Sequence, residues 1–540
     1  MPKLSIFASK IDKKYPVFTC FLPIFLLLLF ISKPYTSYDN GMNKPSVFKN
    51  TAVITVISFL ERALGFLYRI VLARLLGAEG VGIYQIALSH FFLFRTASGG
   101  GIPVTLSRTV SRLNAEGRNR GGGALLAALI LGGCIALPLT LILLPLSPHI
   151  PILKGDAPVL QVLLPTLAAT SAYVAIKGFF WGNKEFFAPA LLEMAEEIIT
   201  VALGVIFLTA TPWSTPTDGA KKAALAVACA CVLSLLFSVV ALIKQKPKFS
   251  SPLPFLRPML KTALPITAVR TGSTLVSSVA AVLLPAMLIR AGMTESEALQ
   301  AFGVATGMVL PVIGIPMTVI GSLAIVLVPE LAEDFQKRNY LRLAKNVERS
   351  IFFAVAVASM LVPLFISVGS PFGALIYKNG LAGELLSRSA ILLLPMSVGG
   401  ILISILNSLG FERQTFIFSI FGSAAFLLCI IFLPSHLGIY AFPVGIFLQL
   451  CIETACAIAL LKKQVKTTAA LRKKSLTAIL LALPLSLFGY AALRLFSLWL
   501  GAWLAPILAA AVCAGATVAT YALCRLLPKT NFRKKNGSAP

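Results

Sequence analysis

Charge is scarce in this chain. Of its 540 residues, 12% are Asp, Glu, Lys or Arg, about half of the roughly 25% usual in soluble domains. Acid is scarcest, with 20 Asp and Glu against 47 Lys and Arg, and there are 3 His. The deficit runs along the whole length, so no soluble domain is hidden in the average. None of the 9 cysteines has CxxC spacing, and Cys229 and Cys231 point to different sides of a helix. A disulfide framework or a metal site is therefore unsupported, and small apolar packing accounts for them. P-loop, HExxH and GxSxG patterns are all missing, as is any loop long enough to hold a globular catalytic domain. The glycine run at 99–101 lacks the Lys-Ser/Thr of a phosphate loop; a kink or close helix packing explains it better.

What the chain has instead is apolar runs of 18 or more residues, recurring from Thr51 to Leu527. At 1.5 Å per residue each can cross a hydrocarbon layer of about 30 Å. The expected spans are 51–72, 83–106, 124–146, 159–180, 187–209 and 223–243, then 262–289, 302–328, 351–376, 386–406, 415–433 and 439–461, and a last pair, 476–498 and 502–526. The expected fold is therefore an all-α polytopic membrane protein of about fourteen transmembrane helices. Crossing once per run, one set of loops and ends holds 30 Lys and Arg and the other holds 8. The net charge of +27 thus reports membrane orientation rather than nucleic acid. The positive-inside rule puts both ends of the fourteen-helix unit in the cytoplasm.

Residues 1–41 stand apart. Lys3, Lys10, Lys13 and Lys14 precede an apolar run from Val17 to Ile31, which reads as an N-terminal extension, a signal-like segment or an extra span. The remainder divides into a first lobe over 42–247, a second over 248–464, and a helix pair with a basic tail over 465–540. The halves look related. Gly101-Ile102-Pro103-Val104-Thr105 and Gly314-Ile315-Pro316-Met317-Thr318 each fall in the second span of their half, 213 residues apart. An even number of spans per half makes such repeats parallel, as in transporters that rock two bundles against each other.

The informative residues are charges within the spans, each costing about 3 kcal/mol at the bilayer centre. Glu61, Arg62 and Arg69 lie in the first span, His90 and Arg95 in the second, Glu193, Glu196 and Glu197 in the fifth, and Arg270 in the seventh. Arg62 and Arg69, seven apart, share a helical face, as do Glu193 and Glu196 at i and i+3. One account is buried ion pairing between helices, Arg62 or Arg69 with Glu196 for example. The other is that Arg62, Arg69, Arg95 and Arg270, from the opening spans of both halves, line a central chamber with surplus positive charge. The planar guanidinium fork suits phosphate and pyrophosphate. His90 by itself reads as a core histidine.

The stretches Glu61-Arg62-Ala63-Leu64-Gly65-Phe66-Leu67-Tyr68-Arg69 and Gly77-Ala78-Glu79-Gly80-Val81-Gly82-Ile83-Tyr84-Gln85 resemble the opening of the stage V sporulation protein B group. So do Gly101-Ile102-Pro103 with Ser107, and Leu327-Val328-Pro329-Glu330. That group belongs to the multidrug/oligosaccharidyl-lipid/polysaccharide exporter superfamily, which includes lipid II flippases. The resemblance covers about 43–527. It implies two six-helix lobes plus a trailing pair, a lipid-linked saccharide substrate and alternating access. It further implies that arginines on the first two helices contact pyrophosphate. Arg62 matches the first-helix position and Arg95 the second. Arg69 is one residue out of register with the flippase arginine but suits the sporulation branch. The flippases' eighth-helix arginine has no counterpart near 308–310, which leaves Arg270 to stand in. Glu196 falls where the sporulation group carries a glutamate, and Thr200 replaces the arginine expected one turn later.

The function expected is flipping of an undecaprenyl-pyrophosphate-linked saccharide, a cell-wall or spore-cortex precursor, in the cytoplasmic membrane. Its partners would be the lipid-linked substrate, membrane lipids and the wall-synthesis machinery, with no nucleic acid and no cofactor. Glu61, Glu193 and Glu196 are the candidates for ion coupling or charge pairing. The runner-up is a drug or cation antiporter of the same superfamily, working through Glu193 and Glu196. A membrane glycosyltransferase would need a larger outward loop, and the longest, 210–222, has only Asp218 as a carboxylate. A wall-synthesis scaffold is a further alternative.

Overall fold

The computed structural model describes residues 47–117, 121–464, 469–501, 503–524 and 526. Regular structure among them is entirely helical. A helix satisfies its backbone groups within one segment, which is what a hydrocarbon solvent demands. α1 (Val47–Gly99) bends at Gly77, whose φ of 71° is a conformation that side chains with a Cβ rarely take. The break at Gly100 and Gly101 separates α1 from α2 (Ile102–Ala115), and α3 (Gly121–Leu146) follows. α4 (Ala157–Leu163) runs through a 3-10 turn into α5 (Leu167–Gly182), then α6 (Phe187–Ala210) and α7 (Pro216–Lys244).

The second half opens with α8 (Leu253–Arg290) and α9 (Glu295–Gly303), which passes through a π turn into α10 (Leu310–Gln336). Then come α11 (Tyr340–Tyr377), α12 (Gly380–Ser389), α13 (Leu393–Ser408), α14 (Glu412–Phe432), the short α15 (Pro434–Leu437) and α16 (Ala441–Gln464). α17 (Ala469–Trp499) and α18 (Leu504–Leu523) form the trailing pair. The extension at 1–41 lies outside the described residues.

Among the described residues, 11 helical segments are long and apolar enough to cross a membrane. The two limbs of α1, together with α6, bring the number to about fourteen. α6 falls outside that set because any 18-residue stretch of it carries Glu193, Glu196 and Glu197. Several helices start earlier than hydropathy indicates: α8 at Leu253 rather than 262, and α11 at Tyr340 rather than 351. Hydropathy stops at the first Lys or Arg, whereas helical hydrogen bonding continues into the interface, where long cationic side chains snorkel.

The motif shared by the halves takes different local structures. Gly101 precedes α2, with Pro103 in its first turn, while Gly314 lies inside α10. The irregular turn of the second half comes earlier, at Val304–Val309.

The apolar core is unevenly divided. Near the charge-poor loops, one cluster joins both halves, including Leu76, Val81, Leu143, Leu288, Phe302 and Tyr377. There Gly82 and Gly303 bring the two halves into backbone contact; a Cβ on either would sit 2.1 Å from a carbonyl oxygen, of Leu299 or Ala78. Toward the basic loops the core divides between the halves, and a further small cluster ties Val355 of α11 to the trailing pair. One part gathers Leu106, Val110, Leu125 and Phe179, and the other Leu343, Val347, Leu402 and Leu406. The opening turns of α8 go with the former, since Met259 packs there.

Candidate functional site

A cavity of about 210 Å³ lies inside the first bundle, lined by both limbs of α1, by α6 and by α7. Arg69 and Arg95 face it, together with Glu196, Glu197, Tyr68, Tyr84, Gln85, Thr200 and Cys231. The bend at Gly77 folds the second limb of α1 back along the first, so that residues 26 apart in sequence share one chamber. Gly65 lets α6 come close, since a Cβ there would stand 2.7 Å from Glu197 Oε1.

The cation acting on Glu196 is Arg95 and the one acting on Glu197 is Arg69. Neither guanidinium approaches a carboxylate within 4.0 Å among the described residues. The charges are thus close enough to compensate but not locked together. The Cys231 thiol reaches Glu196 Oε1 at 3.8 Å, and Thr200 Oγ1 donates to the Glu196 carbonyl at 2.9 Å. Tyr68, only 4% exposed, has a hydroxyl without a partner among the described residues.

The other charges expected at the site form its surroundings. Glu193 turns away from the cavity to pair with Lys177 of α5, whose ammonium also sits 4.7 Å from the Trp181 ring centroid. Glu61 is half-buried within electrostatic range of Glu193, Lys177, Arg62 and Glu196. Arg62 is exposed and does not line the cavity. Arg270 is elsewhere, its Nη1 donating to the Gly100 carbonyl at 2.6 Å. His90 is bonded through Nδ1 to Asp156 Oδ2 at 2.9 Å, both side chains 2% exposed.

The cavity that holds Arg69 and Arg95 is lined by the first bundle, with no lining residue from the second half. Its charge is also balanced rather than in surplus, because Glu196 and Glu197 come to the place where Arg69 and Arg95 meet. Arg69 is exposed and Arg95 half-buried, and the carboxylates beside them offset part of the cost of holding charge at membrane depth. Sequence reasoning gave Glu193 the place that Glu197 takes, and it passed over Tyr68, Tyr84 and Gln85. It also missed Glu453 of α16, 7% exposed and accepting from Gln449 Nε2 at 3.0 Å. A carboxylate inside the expected span 439–461 was the available signal.

The fold and this charged chamber define a multi-pass all-α membrane protein of the transporter architecture shared by drug exporters and lipid flippases. Residues 47–333 match the family model described as polysaccharide biosynthesis protein, and the chain belongs to that family. It is 24% identical over 373 residues to the stage V sporulation protein B of Bacillus subtilis (strain 168), covering 63% of this chain and 72% of that one. A solved structure of the lipid II flippase MurJ, in an inward closed conformation, superposes with a TM-score of 0.64 at 15% identity, over 88% of this chain and 100% of that one. An inward-facing multidrug resistance MATE family transporter of the MOP superfamily gives 0.61 at 16%, over 78% and 99%.

Proposed function

We propose that this protein carries a saccharide, linked to its lipid through pyrophosphate, across the cytoplasmic membrane by alternating access. The observation that carries the reading is the convergence of Arg69 and Arg95 on one chamber without a locked carboxylate partner. Neither fork is hydrogen-bonded to a carboxylate, so both keep donors for a diphosphate, the ligand their geometry fits best. Arg62, on the same face of α1 two turns away, would meet the head group as it enters. The lipid tail stays in the bilayer throughout. The core, joined at the charge-poor end and split at the basic end, supports lobes that pivot about the joined end. With the basic loops cytoplasmic, the split end faces the leaflet where such precursors are made. The family and the sporulation relative favour a wall or spore-cortex precursor, handed on to wall synthesis outside.

A drug or cation antiporter is the second reading, and Glu196 and Glu197 in the chamber favour it. Reconstitution in liposomes with labelled lipid II separates the two. Wild type should translocate the lipid, and Arg69→Ala and Arg95→Ala should each slow it at least about tenfold, the loss of one charge-assisted contact. Unchanged rates in both variants would remove the flippase reading. Cation transport lost in Glu196→Gln and kept in the arginine variants would establish the other.

A further inference from the structure

The chamber holds as many fixed negative charges as positive ones. Arg69 and Arg95 supply two, and Glu196 and Glu197 cancel them. The next ring repeats the balance, with Arg62 and Lys177 against Glu61 and Glu193. A diphosphate entering this place would add two charges to a site that has no spare cation, inside a bundle where each uncompensated charge is expensive. Something must give, and the carboxylates are the groups that can.

We infer that Glu196 and Glu197 form a proton-binding site coupled to the anion site: each takes up a proton from solution when a diphosphate binds to Arg69 and Arg95, and loses it when the diphosphate leaves. The inference rests on the anion-binding reading given above. The balance is simple. Two carboxylates become carboxylic acids, no other bond changes, and the chamber's net charge stays at zero in both states.

The surroundings suit this exchange. Arg95 is the cation acting on Glu196 and Arg69 the one acting on Glu197, so each carboxylate neutralised removes an opposing charge from beside one guanidinium. The remaining ionisable groups around the pair are Glu61, Arg62 and Tyr68 of α1, Tyr84 on its second limb, Tyr173 and Lys177 of α5, Glu193 of α6 and Cys231 of α7. Glu193 is paired with Lys177 and turned away from the chamber. Tyr68 lines the same chamber, and its buried hydroxyl, packed against Gly204, has no partner among the described residues.

The test uses the full chain in nanodiscs and farnesyl-diphospho-N-acetylglucosamine as the probe. Both phosphates of that diester are strongly acidic, so the probe's own charge does not change near neutral pH. Calorimetry in two buffers of different ionisation enthalpy counts the protons taken up. Wild type should absorb protons on binding, up to two per probe bound, and affinity should fall as pH rises between about pH 6 and 8. In the Glu196→Gln/Glu197→Gln double variant, uptake should vanish and affinity should become flat with pH. Binding by wild type with no proton uptake overturns the inference and leaves the flippase reading standing. No binding by wild type, or undiminished binding by Arg69→Ala/Arg95→Ala, overturns the flippase reading and the inference with it. Should the glutamine variant fail to fold, the wild-type proton count decides alone.

Discussion

Arg270 of α8 donates from Nη1 to the carbonyl of Gly100, 2.6 Å away at the break between α1 and α2. Beside it, the Gly101 N–H donates to Thr267 Oγ1 at 2.9 Å. Pro103 has no N–H to offer the preceding turn, and the break leaves backbone groups that would otherwise be unpaired at membrane depth. α8 supplies their partners. An arginine that sequence reasoning assigned to the ligand is engaged here by the backbone of the other half.

Arg270→Ala should therefore lower stability by about 1–2 kcal/mol, and Thr267→Val by about 1 kcal/mol or more, since each removes a partner from the break. Thermal unfolding in detergent reads both. The double variant should lose less than the sum, because the two bonds fix the same contact. Strict additivity would show that the bonds act separately.

Gly101→Ala should be worse than either. A Cβ there would stand 2.3 Å from the Ala263 carbonyl oxygen and 2.8 Å from Thr267 Oγ1, so α8 must move away. Overpacking of this kind costs about 1–3 kcal/mol. Thermal unfolding in detergent beside the Arg270→Ala and Thr267→Val variants reads it; a midpoint as high as wild type would mean that the helices absorb the methyl without separating.

His90 and Asp156 make a buried pair, and each keeps one ring or carboxylate atom without a partner among the described residues. Removing one member strands the other. Asp156→Ala or His90→Ala should each destabilise the fold by about 3–5 kcal/mol, and the double apolar replacement His90→Leu/Asp156→Leu should recover part of that loss. Unfolding midpoints of the three variants check it, and a double variant weaker than both singles would contradict the pairing argument.

Glu185, in the loop between α5 and α6, accepts from Gln245 Nε2, and burial raises its carboxyl above the ordinary 4.5. The native state then holds its proton more tightly than the unfolded chain. Its stabilising contribution is full below 4.5 and is lost as pH rises through the raised value. Glu185→Gln should therefore flatten the fall in stability just above pH 4.5 relative to wild type. Parallel melting curves of the two proteins across that window would show that the loop carboxylate is not protonated in the fold.

The membrane class and the approximate number of spans could be read from the chain. Apolar runs and the siting of Lys and Arg are local properties, and a bilayer reads them locally. Arg69, Arg95 and Glu196 stand out in the sequence because charge is costly at membrane depth wherever it lies. Their neighbours could not be found in this way. Glu193 and Glu197 are four residues apart on one helix, yet one turns to Lys177 and the other to the chamber, and only the placement of α5 and α1 around α6 separates them.

By itself, then, the sequence determined that this is an all-α membrane protein with arginines and glutamates inside its spans, because hydrophobicity and charge act residue by residue. The tertiary structure alone decided which of those charges meet. The Gly77 bend brings Arg69 and Arg95 together, α6 brings Glu196 and Glu197 to cancel them, and α8 holds Arg270 at Gly100. Coulomb interactions fall off with distance through space, and distance through space is set by how the helices pack.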